Sequence, residues 1–271
     1  MKNEDMLDGA IPSVQTIHDS ERAYFDQKAD HDAKSFVEGE WLVDPEDYGP
    51  TLKLWGFDTG LSGKEVLECG CGSGFFSVLL AKMGAQVWCF DISPKSVELT
   101  RERAELNGVG DKVRPKVAAF ENLDYEDDRF DLVVGKNILH HIHDIEEAGR
   151  QIRRVLKKGG RAIFYELSAA NPILMFFRRN VIGRSELAPK LGTPDEHPIT
   201  ADEVEILSAV FDHQCKISHP KFRFWGKFDR QVLRQRYRPI SIVLEGMDKM
   251  IYTFFPPLRK YSYKILLEFT K

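Results

Sequence analysis

Apolar positions along the 271-residue chain come in two alternating rhythms, and the alternation predicts the fold class. Short segments that read as strands stand at residues 65–68, 86–90, 113–118, 130–135 and 161–167, and the one at 86–90 is a continuous apolar run, as expected of a strand buried on both faces. Helical spacing fills the intervals at 75–83, closed by Gly84, at 94–107, closed by Gly108, and at 145–156. Strand and helix in regular succession predict a doubly wound, mostly parallel sheet with helices on both faces.

Downstream the rhythm is looser. Thr200 with Glu203 three places on forms a capping box and opens a helix over 199–211, a strand follows at 214–218, an apolar-faced helix at 240–255 stops at Pro256 and Pro257, and a last strand covers 263–270. Upstream, Ala23, Tyr24, Phe25, Ala29, Ala33 and Phe36 predict an amphipathic helix over 18–38, and the breaker-rich stretch 41–60 reads as a connector. Lys157, Lys158, Gly159 and Gly160 read as a tight exit from the 145–156 helix into the fifth strand.

Where the first strand meets the first helix the chain reads Glu68, Cys69, Gly70, Cys71, Gly72, Ser73, Gly74. Glycines there allow positive φ and close approach of a ligand, and the new helix offers unpaired amides. The spacing is GxGxG, not the GxGxxG of dinucleotide binders, with Glu68 two places before the first glycine. The second strand ends in Asp91, an acceptor-only carboxylate placed to take both hydroxyls of a ribose, or alternatively to cap the helix that Ser93 and Pro94 open. The fourth strand leads into FDxVxxxxxLHHxxD, residues 130–144, with His140 and His141 adjacent.

These motifs resemble the class I S-adenosylmethionine-dependent methyltransferases. The resemblance implies a seven-stranded sheet of order 3-2-1-4-5-7-6 with the last strand antiparallel, S-adenosylmethionine as cofactor, and a cofactor site made of Tyr24, Glu68, Gly70, Gly72, Gly74, Asp91, Ile92, Ala119, Phe120 and Asn137. Tyr24 belongs to a helix that covers the cofactor in such proteins, or else packs on the core. Ala119 stands where an acid often binds the adenine amino group, leaving apolar contact and backbone near Phe120, with Glu121 as a weaker candidate. No Asn-Pro-Pro-Tyr follows the fourth strand, which disfavours exocyclic nitrogen of a base as acceptor. Acceptor-side candidates are Glu166, at the end of strand five, and Arg178 and Arg179.

A hydroxyl is a poor nucleophile until deprotonated, so His140 or His141 is a candidate general base, with packing against the cofactor as the alternative. The three histidines of 140–143 lack the carboxylate partners of a zinc set, and the four cysteines form neither a zinc spacing nor a disulfide framework. No metal is expected.

Charge refines the picture of the acceptor. The net charge is −4, but acids dominate before Glu65 and bases after Glu166. In the basic third, Arg178, Arg179 and Arg184 are followed by Phe222, Arg223, Phe224, Trp225, Lys227, Phe228 and Arg230, then Arg234, Arg236 and Arg238. Such interleaving suits an anionic, small or lipid- or sugar-linked acceptor, peripheral membrane contact, or ordinary packing under solvated cations. With 42% hydrophobic residues, no apolar run long enough to span a bilayer and no signal-like start, a cytoplasmic protein is expected. The expected organisation is an arm and helical lid at 1–60 and one methyltransferase domain at 61–271, with acceptor-side insertions at 171–200 and 220–260. The expected function is methyl transfer, most readily to oxygen. The alternatives are an RNA or protein methyltransferase using the basic third, or a non-catalytic cofactor-binding scaffold.

Overall fold

The computed structural model describes residues 14–35, 52–53, 55–57, 59–120, 123–180, 197–220, 222, 224–233 and 236–271. Its centre is β1 (Glu65–Cys69), which pairs in parallel with β2 (Gln86–Asp91) on one side and β4 (Phe130–Lys136) on the other. β3 (Val113–Val117) extends the sheet beyond β2, and β5 (Leu156–Leu167) beyond β4. β7 (Lys264–Thr270) lies antiparallel to both β5 and β6 (Cys215–Ser218). The order is β3-β2-β1-β4-β5-β7-β6, as the sequence motifs imply. Because the chain leaves β1 toward β2 and returns on the other side at β4, the crevice for a ligand opens at the carboxyl ends of these strands.

Burial follows the two-residue period of a strand. Val66 and Val134 enter the core on one face with Leu79, Leu80 and Val87. Leu67 and Val133 enter the other face with Phe130, Phe164 and Phe269. The helices between the strands, α2 (Phe75–Lys82), α3 (Pro94–Leu106) and α4 (Ile145–Val155), supply outer layers, and α1 (Val14–Ser35) precedes β1. In α4 the buried Ile145, Ala148, Ile152 and Val155 make one face, each large side chain contributing about 1.5 to 3 kcal/mol of burial. Short sequence signals hold: Ser93 Oγ accepts from Ser96 N at 3.0 Å with Pro94 at the first helical position, and the Thr200–Glu203 capping box opens α6 (Ala201–Val210).

One expectation needs correction. β5 begins at Leu156, which pairs with Phe130, so Lys157 to Gly160 are not an exit that precedes the strand but a bulge inside it, with Leu132 next pairing Arg161 and Gly159 at φ +75°; Gly159 N donates to Lys271 O at 2.8 Å, and Lys271 N to Gly160 O at 3.0 Å. Partners from the far end of the chain draw this irregular segment into the strand. Within the stretches 171–200 and 220–260 lie α5 (Pro172–Asn180) between β5 and α6, and α7 (Trp225–Phe228), a π-turn (Asp229–Leu233) and α8 (Arg238–Phe254), the last close to the helix expected at 240–255, between β6 and β7. A 3-10 turn (Pro256–Tyr261) then leads into β7.

The glycine loop is clamped from both sides. Gly70 N and Cys71 N donate to Phe90 O, while α3 sends Thr100 Oγ1 to Gly72 O at 3.0 Å and the buried Arg103 Nη1 to Ser73 O at 2.9 Å. Gly74, at φ +77°, starts α2 so close to α3 that a Cβ would stand 2.6 Å from Thr100 Cα. Gly74→Ala therefore combines a left-handed backbone with a backbone clash and should destabilise the fold by about 2 to 4 kcal/mol. Urea unfolding reads this directly, and an unchanged midpoint would contradict the tight α2–α3 approach.

Candidate active site

A cavity of about 540 Å³ lies over the carboxyl ends of β1, β2 and β4. α1 forms one of its walls. His18, Glu21, Phe25 and Ala29 recur every three or four residues, so one face of the helix looks into the cavity. Polar contacts pin α1 to the segment after β2: Arg22 Nε donates to Ile92 O at 3.3 Å, Ser93 Oγ donates to Asp26, and Lys95 pairs with Asp30.

Tyr24, Gly70, Gly72, Asp91, Ile92, Ala119, Phe120, Asn137, His140, His141 and Arg178 all line this cavity. Asp91 is buried; its Oδ2 accepts from Gly72 N and its Oδ1 from Ser93 N, both at 2.9 Å. Burial raises the Asp91 carboxyl above its ordinary range, while the Ser93 and Gly72 amides oppose the shift. Each oxygen keeps a second lone pair for a ligand hydroxyl. Phe90 and Phe120 meet edge to face at 5.1 Å, beside Ala118 and Ala119, and make an apolar wall. Asn137 takes φ +57°, a left-handed conformation that Asn tolerates, and its side chain accepts from Lys264 Nζ.

Four expected residues are placed otherwise. Glu68 is buried under the loop, bonded to Ser77 Oγ of α2, and Gly74 serves helix packing. Glu166 does not line the cavity. Its Oε1 accepts from Ile138 N (2.8 Å) and Leu139 N (3.0 Å), and its Oε2 meets His140 Nδ1 at 2.6 Å. Three donors from the turn after β4 consume a charge that reads in the sequence as a strand-end acid. Arg179 sits exposed on α5, one position from the cavity-lining Arg178. Glu121, Arg184, Arg223 and Arg234 lie outside the described residues.

Both histidines are held by carboxylates. His140 is bonded to Glu166, and His141 Nδ1 meets Glu21 Oε1 of α1 at 3.0 Å. The two imidazoles stack with centroids 4.4 Å apart, and Phe25 packs edge-on against His141 at 5.4 Å. Since an ionised carboxylate only accepts, each Nδ1 carries a proton, and in a neutral ring so held the lone pair is on Nε2. Glu21 was not legible as a site residue; its one local signal is that it falls on the helical face of Tyr24 and Phe25. Lys136 and Lys264 were also missed, whereas Lys227 and Arg230 of the basic-aromatic stretch do reach the cavity. Lys227 stacks over the Tyr263 ring at 4.3 Å.

Comparison with known proteins agrees with this geometry. Residues 67–164 match a family model described as a methyltransferase domain. A ubiquinone biosynthesis O-methyltransferase of Alkalilimnicola ehrlichii is 30% identical over 70% of this chain and 76% of its own. A sterol 4-C-methyltransferase of Caenorhabditis elegans is 29% identical over 51% of this chain and 41% of its own. Across the first several curated relatives the chain spans only 38% to 56% of their length. A crystal structure of geranyl diphosphate C-methyltransferase from Streptomyces coelicolor superposes with a TM-score of 0.58 over 96% of this chain and 98% of that one, at 13% identity, which speaks to the fold. The chain belongs to the class I S-adenosylmethionine-dependent methyltransferases.

The family's cofactor is S-adenosylmethionine, and the site suits it. No atom stands within 4 Å of where a Cβ on Gly72 would be, so the loop presents bare backbone to the cavity. The Asp91 carboxylate offers acceptors to a ribose diol beside an apolar slot for a base.

Burial lifts the Glu68 carboxyl from the ordinary 4.5 to about 8, against the Ser77 hydrogen bond and the Lys136 charge, so the group is largely protonated at neutral pH. With the folded value above the unfolded one, its stabilising contribution is full below about pH 4.5 and is lost as pH rises to about 8, with a slope of up to about 1.4 kcal/mol per pH unit. Glu68→Gln should flatten this part of the stability profile, read by urea unfolding between those pH values. Parallel profiles for the two proteins would contradict a protonated Glu68.

Proposed function

We propose that the protein transfers a methyl group from S-adenosylmethionine to an oxygen of an anionic acceptor, either a small molecule or a lipid- or sugar-linked one. The observation that carries this reading is the His141–Glu21 pair facing a cavity with a cationic flank. When bound, S-adenosylmethionine supplies an electrophilic methyl group on a sulfonium that departs as a neutral thioether. The chain's own residues do the rest. Asp91 and the glycine loop hold the nucleoside and amino-acid ends, and Phe90, Ala119 and Phe120 hold the base.

His141 takes the acceptor's proton on Nε2, because Glu21 keeps the other ring nitrogen protonated and stabilises the imidazolium that forms. His140 is more deeply buried, and Glu166 locks it; it positions His141 by stacking. Arg178, Lys227 and Arg230 come from three elements onto the same cavity and attract a phosphate or carboxylate. α1 closes the site against water, which strengthens every charge interaction inside it. That Glu21 belongs to this wall ties orientation of the base to closure.

Incubation with methyl-labelled cofactor and fractionated cell extract tests the reading. Label should enter an acidic lipid or sugar fraction, with kcat lowered about 100-fold or more in His141→Ala and S-adenosylhomocysteine affinity nearly unchanged. Label in RNA or protein would overturn the acceptor class, and a full rate in His141→Ala would remove the base.

A further inference from the structure

α8 carries an apolar stripe that none of the described residues covers. Its single buried side chain is an aspartate, Asp248, while Val243 is 61% and Phe254 72% exposed. Ile240, Met250 and, after the helix, Phe255 and Leu258 are exposed as well. Ile240, Val243, Met250 and Phe254 fall near one another on the helical wheel and make an outward apolar stripe. The orientation of the helix has a cause. The Asp248 carboxylate accepts from Phe224 N (3.1 Å), Trp225 N (2.9 Å) and Gly226 N (2.8 Å), capping α7 and holding the face of α8 that carries Asp248 and the half-buried Leu244 and Ile251 inward.

Charge surrounds the stripe. Arg236, Arg238, Lys249 and Lys260 are exposed and Arg259 half-buried, against Glu245 as the exposed carboxylate between residues 236 and 260. Arg259 Nε donates to Tyr252 O at 2.8 Å and its guanidinium covers the Tyr252 ring at 4.3 Å, fixing the turn after α8 against the helix. Large apolar side chains rimmed by cations and tyrosines are what an interfacial helix presents to lipid. A two-fold contact between copies would set these cations against their own duplicates, whereas anionic headgroups neutralise them.

The surface is also joined to the cavity. The amides that Asp248 caps directly precede Lys227, and Arg230 follows on the π-turn; both line the cavity. On the other side, Asn171, whose Oδ1 caps α5, donates from Nδ2 to Tyr261 O at 2.9 Å, next to the lining residues Tyr263 and Lys264. No helix among the described residues is long and apolar enough to cross a membrane, so attachment would be at the surface. We infer that α8 and the turn after it are a docking face for an anionic phospholipid membrane, which brings the cavity to a lipid-borne acceptor. This rests on the function proposed above only for the cargo.

Co-sedimentation of the full chain with vesicles tests it without any acceptor or turnover, so its failure is distinguishable from failure of methyl transfer. Binding is expected to vesicles of phosphatidylcholine with about one third phosphatidylglycerol, to weaken as salt rises, and to be far weaker to phosphatidylcholine alone. Val243→Glu with Phe254→Glu should lower binding at least tenfold, and so should Arg238→Glu with Lys249→Glu, with thermal unfolding and S-adenosylhomocysteine affinity unchanged. Absence of binding by the wild type, or binding indifferent to the apolar pair, overturns the inference. So does a dimer in sedimentation equilibrium that the apolar pair dissociates, or RNA binding lost in the same variants.

Discussion

The site depends on one buried carboxylate, Glu166. It stands at the end of β5 with no exposed surface, and it gathers the amides of Ile138 and Leu139 and the ring of His140 into a single turn after β4. A buried charge of this kind is tolerated only when its lone pairs are used, and three donors from one turn do so. The consequence is positional. Fixing His140 fixes the stacked His141, and the imidazole pair then stands at the switch point of the sheet, where a ligand of the crevice must pass.

The same device recurs with different partners. Asp91 draws Gly72 N and Ser93 N together at the end of β2, so that the glycine loop and the start of α3 share one anchor. Asp248 gathers three amides at the start of α7. Each carboxylate trades exposure for control of a loop, and the loops so controlled form the floor and the rim of the cavity. Glu21 differs in coming from α1, a wall held through Arg22, Asp26 and Asp30 and not by the sheet. His141, the proposed base, is thus held between the crest and the wall.

Legibility in the sequence followed the range of the interaction. The GxGxG loop, Asp91, the helix caps at Ser93 and Thr200 and the succession of strands are encoded within a few residues and could be read. Two glutamates show where reading failed. Glu166 looks like any strand-end acid until Ile138, Leu139 and His140 arrive from across the sheet, and Glu21 meets His141 only across a separation of 120 residues. The start of β5 at Leu156 was hidden for the same reason, since Lys271 supplies its partner. The apolar stripe of α8 was legible as periodicity, but its outward direction was not, because the three amides that claim Asp248 are fixed by the fold.

The central claim is that the crest of β1 and β2 is the seat of the cofactor, with Asp91 as its anchor. Calorimetric titration of S-adenosylhomocysteine into the wild type and Asp91→Ala, with thermal unfolding as the check on folding, tests this directly. The account predicts a loss of about 1.5 to 3 kcal/mol of binding free energy, as for hydrogen bonds to a charged acceptor, in a variant that remains folded. Equal affinity in a folded Asp91→Ala protein would contradict it.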